Sequence, residues 1–478
     1  MLTHQQLGTS VDDAPAAADA EQARGPLRIA VIGTGYLGAV HAACMAYQGH
    51  SVVAVDADAG KAAALAAGRP PFFEPGLEEL LAEVAPTGRL TFTTDYALTA
   101  GSDVFFLCVG TPQQQGGYAA DTTYVYAAAR SVAPYLTSDS LVVGKSTVPI
   151  GTAAAVRDTM AALAPAEVTV RLVWNPEFLR EGVAIQDTLH PDRFVYGVQG
   201  PTAEADIALL DRVYATSLAD GTPRVVTDYV TAEMVKTAAN SFLATKISFI
   251  NAMAEICESA GGDVVKLAEA IGHDERIGRK FLGAGVGFGG GCLPKDIRAF
   301  RARAEELGLG QSLAFLHEVD GINQRRRDRV VDLVAQLSGG GHAGVRVAIL
   351  GAAFKPHSDD VRDSPALSIA AALQDRGAHV RVFDPKAMPN AKHVAPQLQY
   401  AADMWDACAD ADVVAVLTEW PEFRTADPVA LANVVRRPVI IDGRNALPGS
   451  AWTAAGWTYH ALGRAAAESA LPRKDSHS

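Results

Sequence analysis

Short runs of apolar and often β-branched residues recur between residues 27 and 198, and the segments between them are helical in pattern. The runs are LRIAVI, SVVAVD, DVFFLCVG, SLVVGKSTV, RLVWNPEF and RFVYGV. Continuous apolar runs of this length are typical of strands that are buried on both faces of a sheet. Their alternation with helices predicts a mostly parallel sheet covered by helices, in a domain that spans residues 26–222.

The pattern changes in the middle of the chain, where residues 231–258 contain neither proline nor glycine and are apolar around most of a helical circumference. This predicts a long buried helix, packed within the chain or against a partner subunit. Lys236 and Asn240 are four residues apart and therefore lie on one face of it. They either belong to a solvated stripe or point together into a ligand cleft, because burial without partners is costly. The predicted central domain spans residues 223–330.

A second set of strand-like runs follows and partly repeats the first. Its members are Arg346–Leu350, His379–Asp384, Asp412–Leu417 and Pro438–Asp442. We therefore predict a second α/β domain over residues 331–465. The predicted fold class is α/β, with two Rossmann-like, doubly wound domains joined by a long central helix. Residues 1–25 and 466–478 are expected to be loose tails.

A G-x-G-x-x-G turn, formed by Gly33, Gly35 and Gly38, directly follows the first strand-like run and precedes a helical segment. In such turns the first glycine makes the bend, the second admits a pyrophosphate and the third allows helix and strand to pack closely. The second run ends in Asp56, 18 residues past Gly38. An acid at that position accepts hydrogen bonds from a ribose 2′-hydroxyl and repels a 2′-phosphate, so the predicted cofactor is NAD.

Composition excludes several other classes of protein. A net charge of −13 over 478 residues argues against a nucleic-acid partner. The five cysteines have no CxxC spacing, which argues against a zinc cluster or a disulfide framework and predicts no metal site. No apolar run is long enough to span a bilayer, and the N-terminal tail lacks the pattern of a signal peptide. A cytoplasmic location, without a membrane partner, is therefore expected.

The sequence GFGGGCLPKD, residues 287–296, places Cys292 after a glycine-rich run and just before Lys295 and Asp296. A lysine ammonium beside a thiol stabilises the thiolate, which makes it a better nucleophile. The alternative is that Cys292 is a small buried residue and that the charged residues form a surface pair. A nucleophilic cysteine together with NAD indicates aldehyde-level oxidation through a thioester.

Polar and basic residues also follow the predicted strands, where parallel sheets bind their ligands. In the first domain these are Thr111, Thr147, Asn175, Glu177 and Glu181, and in the second they are Lys355, Arg362 and Arg444. Each alone is compatible with ordinary turn chemistry or surface charge. Their shared location favours a functional role for the set.

These motifs together resemble the nucleotide-sugar dehydrogenases, the family that includes the UDP-glucose, GDP-mannose and UDP-N-acetylmannosamine enzymes. The resemblance covers roughly Leu27 to Leu462 and is carried by GTGYLG, CVGTP, KSTVP, NPEFLREG, HPDR, AEMVKTAANSFLATKISFIN, DERIG, GFGGGCLPKD, FKPHSDDVRDSP and DGRN. One slight departure is His357-Ser358, where the family often has Asn-Thr. The AAN-x-FLATKISFIN and Arg276-Ile-Gly segments favour UDP-glucose over GDP-mannose as substrate.

The resemblance implies an NAD-dependent, four-electron oxidation of UDP-glucose to UDP-glucuronate through a Cys292 thioester. The implied catalytic residues are Cys292, Lys236, Asn240, Asp296, Thr147 and Glu177. The implied cofactor contacts are Gly33, Gly35, Tyr36, Leu37, Gly38, Asp56, Lys61, Thr111, Thr147, Glu181, Lys295 and Arg362. The implied substrate contacts are Glu177, Phe178, Leu179, Arg180, Glu181, Lys236, Asn240, Arg276, Gly283, Gly285, Gly289, Phe354, Lys355 and Arg444.

The family pattern further implies that Arg276 comes from a neighbouring subunit, so that a homodimer or a larger homo-oligomer is expected. Two alternatives remain open. One is a dehydrogenase that acts on GDP-mannose or UDP-N-acetylmannosamine by the same mechanism, and the other is a nucleotide-binding protein that has lost catalysis. A simple alcohol dehydrogenase is disfavoured, because it would not need a cysteine between the two domains.

Overall fold

The computed structural model describes residues 25–464, which leaves the two predicted tails, apart from Gly25, outside the described residues. Fourteen strands form two sheets. Their bounds are β1 Arg28–Ile32, β2 Ser51–Val55, β3 Leu90–Thr93, β4 Val104–Leu107, β5 Leu141–Gly144, β6 Arg171–Trp174, β7 Phe194–Gly197, β8 Arg224–Thr227, β9 Arg346–Leu350, β10 His379–Phe383, β11 Gln399–Tyr400, β12 Val413–Val416, β13 Val439–Asp442 and β14 Thr458–Ala461.

The α-helices lie between and beside these strands. Their bounds are α1 Tyr36–Tyr47, α2 Ala59–Ala66, α3 Leu77–Val84, α4 Thr123–Val132, α5 Thr152–Ala161, α6 Ala184–Leu189, α7 Ala203–Val213, α8 Ala215–Ala219, α9 Tyr229–Ala260, α10 Val264–Gly272, α11 Leu293–Glu306, α12 Phe315–Leu337, α13 Pro365–Asp375, α14 Met388–Val394, α15 Met404–Cys408, α16 Pro421–Arg424, α17 Pro428–Ala432 and α18 Gly449–Ala454.

The first sheet has the strand order β3-β2-β1-β4-β5-β6-β7-β8, and the second has β11-β10-β9-β12-β13-β14. Neighbouring strands are parallel throughout except for the β6–β7 pair. In each sheet the chain leaves from a central strand in one direction and then crosses to the other side. This is the Rossmann order, and it confirms the predicted fold class of two doubly wound α/β domains.

Alternation along the strands accounts for the two cores of the first domain. In β1, Ile29 and Val31 point into one apolar cluster, whereas Ala30 and Ile32 point into the cluster on the opposite face. All four side chains are buried, as expected for a sheet that is covered by helices on both faces. The second sheet and its helices enclose another large apolar cluster.

The long central helix is α9, and its predicted existence and type are confirmed. It spans 32 residues, begins at the cap Asp228, whose carboxylate accepts from the Thr231 N–H, and ends at Gly261 with φ +81°. The prediction that it is buried holds for only part of its surface. Phe242 and Phe249, for example, are 68% and 49% exposed, because nothing within the described chain covers that face.

Candidate functional site

The glycine-rich turn after β1 is shaped to receive a phosphate group. Gly33 has φ +90°, a left-handed conformation that favours glycine. A side chain at Gly38 would collide with the Gly33 carbonyl, so this glycine allows α1 to pack against the turn. At Gly35, by contrast, an added Cβ would meet no atom within 4 Å. The open space at Gly35, at the N-terminus of α1, fits the pyrophosphate of a dinucleotide.

Asp56, at the end of β2, borders the same turn. Its Oδ2 accepts from the Thr34 N–H at 2.8 Å and from the Thr34 hydroxyl at 2.9 Å, and its Oδ1 accepts from the Asp58 N–H at 2.9 Å. The residue is only half-buried, so its carboxylate retains acceptor capacity toward a ribose. The predicted contact Lys61 lies nearby in the first turn of α2 and is exposed. These residues fit NAD.

Tyr36 and Leu37, the remaining predicted contacts in this turn, begin helix α1. The Tyr36 hydroxyl accepts a hydrogen bond from the Gly182 N–H at 3.0 Å, and its ring packs against Phe72 with centroids 4.7 Å apart. Leu37 is partly buried against the core of the first domain. The turn is therefore tied to the loop that contains Glu177–Glu181.

Cys292 lies at the N-terminus of helix α11, where its side chain is exposed to water. One turn further along the helix, Asp296 is only 2% exposed. Its carboxylate accepts from Asn240 Nδ2 at 2.6 Å and lies 2.7 Å from Lys295 Nζ. The structure thus brings four predicted site residues from two distant parts of the chain into one cluster, with the thiol at its edge.

The ionisation of Cys292 differs from the sequence prediction of a stabilised thiolate. Although the thiol is open to water, the protein that surrounds it raises its pKa, and the Asp296 carboxylate raises it further. Lys236 and Lys295 act in the opposite direction but do not prevail. The prediction was wrong in sign because it considered Lys295 alone, whereas folding also places an acid and a low-dielectric wall beside the sulfur.

Thr147 faces a small cavity that it shares with Lys295 and Asp296. The cavity has a volume of ≈ 20 Å³, which is enough for about one water molecule. Thr111 links Thr147 to Lys295. Its hydroxyl donates to the Thr147 carbonyl at 2.7 Å and accepts from Lys295 Nζ at 3.3 Å. The structure thus brings Thr111, Thr147 and Lys295 together beside Asp296.

Glu177 is held by an ion pair that the sequence analysis did not predict. Its Oε2 lies 2.9 Å from the ammonium of Lys145, while its Oε1 accepts from the N–H groups of Phe178 and Leu179. Burial alone would raise the pKa of Glu177, but Lys145, together with the Phe178 N–H and Lys236, outweighs this effect, so the pKa is lowered. The available signal was a single lysine inside the apolar run SLVVGKSTV, where a charge needs a partner.

Glu181 connects the first domain to the second. Its carboxylate accepts from the Ser358 hydroxyl at 2.9 Å and from Arg362 at 3.3 Å. Burial, together with the neighbouring Asp360, raises the pKa of Glu181 to about 7. Ser358, at the one place where the sequence departs from the family pattern, therefore has a direct polar contact in the site.

Lys236 and Lys355 supply further positive charge around the thiol. Lys236 Nζ lies 5.4 Å from the centre of the Phe178 ring, so the predicted pair of Lys236 and Asn240 faces the cleft and is not a solvated stripe. Lys355 Nζ lies 5.2 Å from the centre of the Phe354 ring. Burial lowers the pKa of Lys355, although Glu181 and the Cys292 sulfur oppose this effect.

The loop that precedes Cys292 is positioned by two asparagines that the sequence analysis did not single out. Asn251 of α9 accepts from the Gly285 N–H at 2.9 Å, and Asn323 of α12 accepts from the Phe288 N–H at 2.7 Å. Side chains at Gly285 and Gly289 would collide with the second domain, whereas Gly283 has open space. The glycines thus allow the loop to lie directly against the second domain.

Arg444 joins the same loop to the second domain. Its guanidinium donates to the carbonyl groups of Gly287 at 2.9 Å, Phe354 at 3.1 Å and Leu417 at 2.8 Å. Two other predicted substrate contacts point to local partners instead. Arg180 forms an ion pair with Asp187, and the side chain of Arg276 pairs with Asp274 and is 88% exposed.

The open dinucleotide turn and the cysteine cluster beside it define an NAD-dependent oxidoreductase, and comparison with known proteins identifies its family. The chain belongs to the UDP-glucose/GDP-mannose dehydrogenase family. The NAD binding domain of that family matches residues 27–218, its central domain matches residues 230–325, and its UDP binding domain matches residues 348–449. The predictions of family and of NAD as cofactor are therefore confirmed.

Two curated relatives match nearly the whole chain. UDP-glucose 6-dehydrogenase of Rhizobium meliloti (strain 1021) is 43% identical over 439 residues, which are 92% of this chain and 100% of that protein. UDP-glucose 6-dehydrogenase TuaD of Bacillus subtilis (strain 168) is 42% identical over 447 residues, which are 93% and 95% of the two chains.

Solved structures agree in fold. A UDP-glucose dehydrogenase from Pyrobaculum islandicum matches with a TM-score of 0.84 and 37% identity, over 95% of this chain and 100% of that one. A UDP-D-ManNAc dehydrogenase from Pyrococcus horikoshii matches with a TM-score of 0.79 and 26% identity, over 92% and 100%. Between residues 25 and 464, no helix is long and apolar enough to cross a membrane.

Proposed function

We propose that the chain oxidises the C6 hydroxyl of UDP-glucose to the carboxylate of UDP-glucuronate and reduces two NAD. The observation that carries this proposal is the position of Cys292, which lies beside buried Asp296 and Asn240 and between the family's NAD and UDP binding domains. The names of the relatives that are 43% and 42% identical support UDP-glucose as the sugar. A hydride transfer alone would not require the cysteine.

The first oxidation converts the C6 alcohol to an aldehyde. The turn at Gly35 and the Asp56 carboxylate would hold NAD, which would supply the acceptor for the hydride from C6. The hydroxyl proton must leave at the same time, and the Asp296 carboxylate, which lies beside a cavity large enough for about one water molecule, can receive it. Lys236 and Asn240 stabilise the negative charge that develops on the C6 oxygen.

The second oxidation requires a covalent bond to the enzyme. The Cys292 sulfur adds to the aldehyde carbon, the thiol proton is transferred by way of a base to the aldehyde oxygen, and a thiohemiacetal forms. Loss of the hydroxyl proton and of a second hydride, which a second bound NAD would accept, then gives a thioester. Because the pKa of the thiol is raised in the ligand-free protein, a nearby base must remove the proton as the bond forms.

Hydrolysis completes the reaction. Water adds to the thioester carbonyl, the carbon–sulfur bond breaks, and the products are UDP-glucuronate, a proton and the regenerated thiol. We assign the orientation of the water to Thr147 and the support of its attack to the ionised Glu177. Lys355 and Arg444, near the junction with the UDP binding domain, are proposed to contact the substrate.

We also propose that the chain forms a homodimer, or a larger homo-oligomer, through the exposed side of α9. Phe242, Phe249 and Ile256 are spaced by seven residues on this helix and are between 49% and 68% exposed. The adjacent edge strand β8 exposes Val225 and Val226. An apolar stripe of this kind is typical of a subunit interface. Arg276, which has only a local partner here, would then reach the neighbouring subunit's site.

A cytoplasmic location is proposed from the cysteines. All five are free thiols and four of them are buried, which suits a reducing compartment. The proposed domain limits are residues 26–222, 223–330 and 331–465, with tails at 1–25 and 466–478.

The test is the amount of NADH formed per sugar, with purified protein, excess NAD and limiting UDP-glucose. We expect two NADH per UDP-glucose, because the reaction removes four electrons. Turnover of GDP-mannose or UDP-N-acetylmannosamine, without turnover of UDP-glucose, would keep the mechanism and overturn the substrate.

Cys292→Ser tests the nucleophile in the same assay. This variant should stall at the aldehyde or accumulate a covalent ester, and its rate of acid formation should fall by at least about 10²-fold. Intact-mass spectrometry checks for the ester. Cys257→Ser is the matched control, because Cys257 is a buried thiol outside the site. Normal UDP-glucuronate formation by Cys292→Ser would contradict the assignment of Cys292 as the nucleophile.

A further inference from the structure

Lys145 follows strand β5 and is one of the few lysines enclosed by the protein, with only 4% of the residue exposed. Its ammonium contacts the Glu177 carboxylate at 2.9 Å, the Asn175 side-chain oxygen at 3.0 Å and the Tyr214 hydroxyl at 3.3 Å. Tyr214 also donates to Asn175 at 2.8 Å. Every donor of the ammonium is thus directed to an oxygen, as a buried cation requires.

Glu177, the other member of the ion pair, begins the loop of residues Glu177–Glu181, which the family resemblance assigns to substrate binding. Glu177 Oε1 accepts from the N–H groups of Phe178 at 2.8 Å and Leu179 at 3.0 Å. The carboxylate therefore fixes the first turn of this loop, while Lys145 fixes the carboxylate. Removing the cation would leave a buried carboxylate that takes up a proton more readily.

We propose that Lys145 is a positioning residue that holds the Glu177 carboxylate ionised and oriented for hydrolysis of the Cys292 thioester. The inference rests on the proposed function. Lys145 itself need not touch the substrate, since its contacts in the structure are to Glu177, Asn175 and Tyr214.

Among the groups around the ion pair, Lys145 has the largest influence in keeping the Glu177 carboxylate ionised. The groups that face the pair are Lys236, Tyr214, Cys108, Cys44 and His41. Burial raises the pKa of Tyr214, Cys108 and Cys44 to about 12, so these groups are neutral at physiological pH. Burial also lowers the pKa of His41, which is then neutral as well. Lys236 is the only other cation among them, and it lowers the pKa of Glu177 less than Lys145 does.

Lys145→Met tests the proposal through the pH dependence of the last step. Without the cation, burial should raise the pKa of Glu177, so we expect steady-state turnover at pH 7 to fall at least about tenfold and to recover as the pH is raised to about 9. The first turnover should still release two NADH per site in a burst. Thioester on Cys292 should accumulate at pH 7, as measured by acid quench and intact-mass spectrometry.

Three further variants separate positioning from simple structural support. Tyr214→Phe removes a hydroxyl from the same cluster but keeps the charge, and it should leave the pH profile unchanged. Lys145→Arg should restore part of the turnover at pH 7. Glu177→Gln combined with Lys145→Met should be no slower than Glu177→Gln alone, because Lys145 acts through Glu177. This last comparison also serves if Lys145→Met alone does not fold.

An equal loss of burst and steady-state rates at every pH in Lys145→Met would overturn the proposal, as would a double variant much slower than Glu177→Gln. The wild-type protein is first assayed with UDP-glucose, GDP-mannose and UDP-N-acetylmannosamine, and the variants are compared on the sugar that it oxidises. A failure of UDP-glucose as substrate is thereby distinguished from a failure of the role of Lys145.

Discussion

The two sheets share the same strand order around their central strands, yet the acids at the ends of their second strands have different surroundings. In the first domain, Asp56 is half-buried and accepts from two N–H groups and one hydroxyl. In the second domain, Asp384 is 1% exposed and accepts from four backbone N–H groups and the Trp420 indole. The first acid can still accept from a ribose, whereas the second is saturated by its own chain.

The glycine turns beside these two acids also differ, because the first has free space and the second is filled by its own chain. Gly35 has open space where a Cβ would lie, but Gly351, with φ +114°, is crowded by Thr418. The same topology therefore yields a dinucleotide site in one domain and an internally bonded turn in the other. A strand order alone does not specify a cofactor site, which depends on unfilled hydrogen-bond capacity and on space.

Asp384→Asn tests whether the hydrogen bonds that the buried Asp384 carboxylate accepts stabilise the second domain, and we expect a large loss of stability. The neutral amide of asparagine lacks the negative charge that strengthens the five hydrogen bonds accepted by the buried Asp384 carboxylate. We expect a loss of about 3 kcal/mol in the stability of the second domain, and a fall of roughly 6–12 °C in its Tm. Differential scanning calorimetry measures this change.

Asp56→Asn is the matched control for that experiment. Because Asp56 is half-buried, the same substitution should cost about 1 kcal/mol or less. Equal losses of Tm in the two variants would show that the two acids are not used differently, and the comparison would fail.

Asp56→Ser tests the acid of the first domain through its effect on cofactor binding. Loss of the carboxylate should raise the KM for NAD by about tenfold or more, because it removes hydrogen bonds to the ribose from a charged acceptor. It should also relax the exclusion of NADP, since a negative charge no longer repels the 2′-phosphate. Steady-state kinetics with both cofactors measure this. An unchanged preference would mean that the ribose binds elsewhere.

The apolar pattern predicted the interior of both sheets but not their edges. Ten strands of the described chain correspond to predicted runs, and the four that were missed, β3, β8, β11 and β14, are the outer strands of the two sheets. Their side chains are mostly exposed or half-buried, as in β8, so they lack the continuous apolar run that marks a strand covered on both faces. An edge strand is defined by its hydrogen-bonded pairing with a neighbouring strand, and a single sequence does not show this pairing.

The candidate site divides in a similar way. The motif residues Cys292, Asn240 and Asp296 were predicted and are brought together by the fold. The raised pKa of Cys292 and the ion pair of Lys145 with Glu177 were not predicted, because both depend on groups far away in sequence. Local spacing identifies reactive residue types, whereas their ionisation is set by the distant groups that folding places beside them.

The last prediction concerns the contact between the first and second domains, where Glu181 accepts from Ser358 and Arg362. Because burial raises the pKa of Glu181 to about 7, the folded state binds a proton that the unfolded chain has already lost above about pH 4.3. The stability linked to this proton is present at low pH and is lost as the pH rises through 7. Glu181→Gln should therefore match the wild type near pH 4 and exceed it at pH 8 by roughly 3 kcal/mol. Melting temperatures across this range measure the difference, with the exposed Glu79→Gln as a control that should show no such trend. Parallel curves for wild type and Glu181→Gln would mean that folding does not raise the pKa of Glu181, so that the two domains meet through a charge pair with Arg362 at neutral pH.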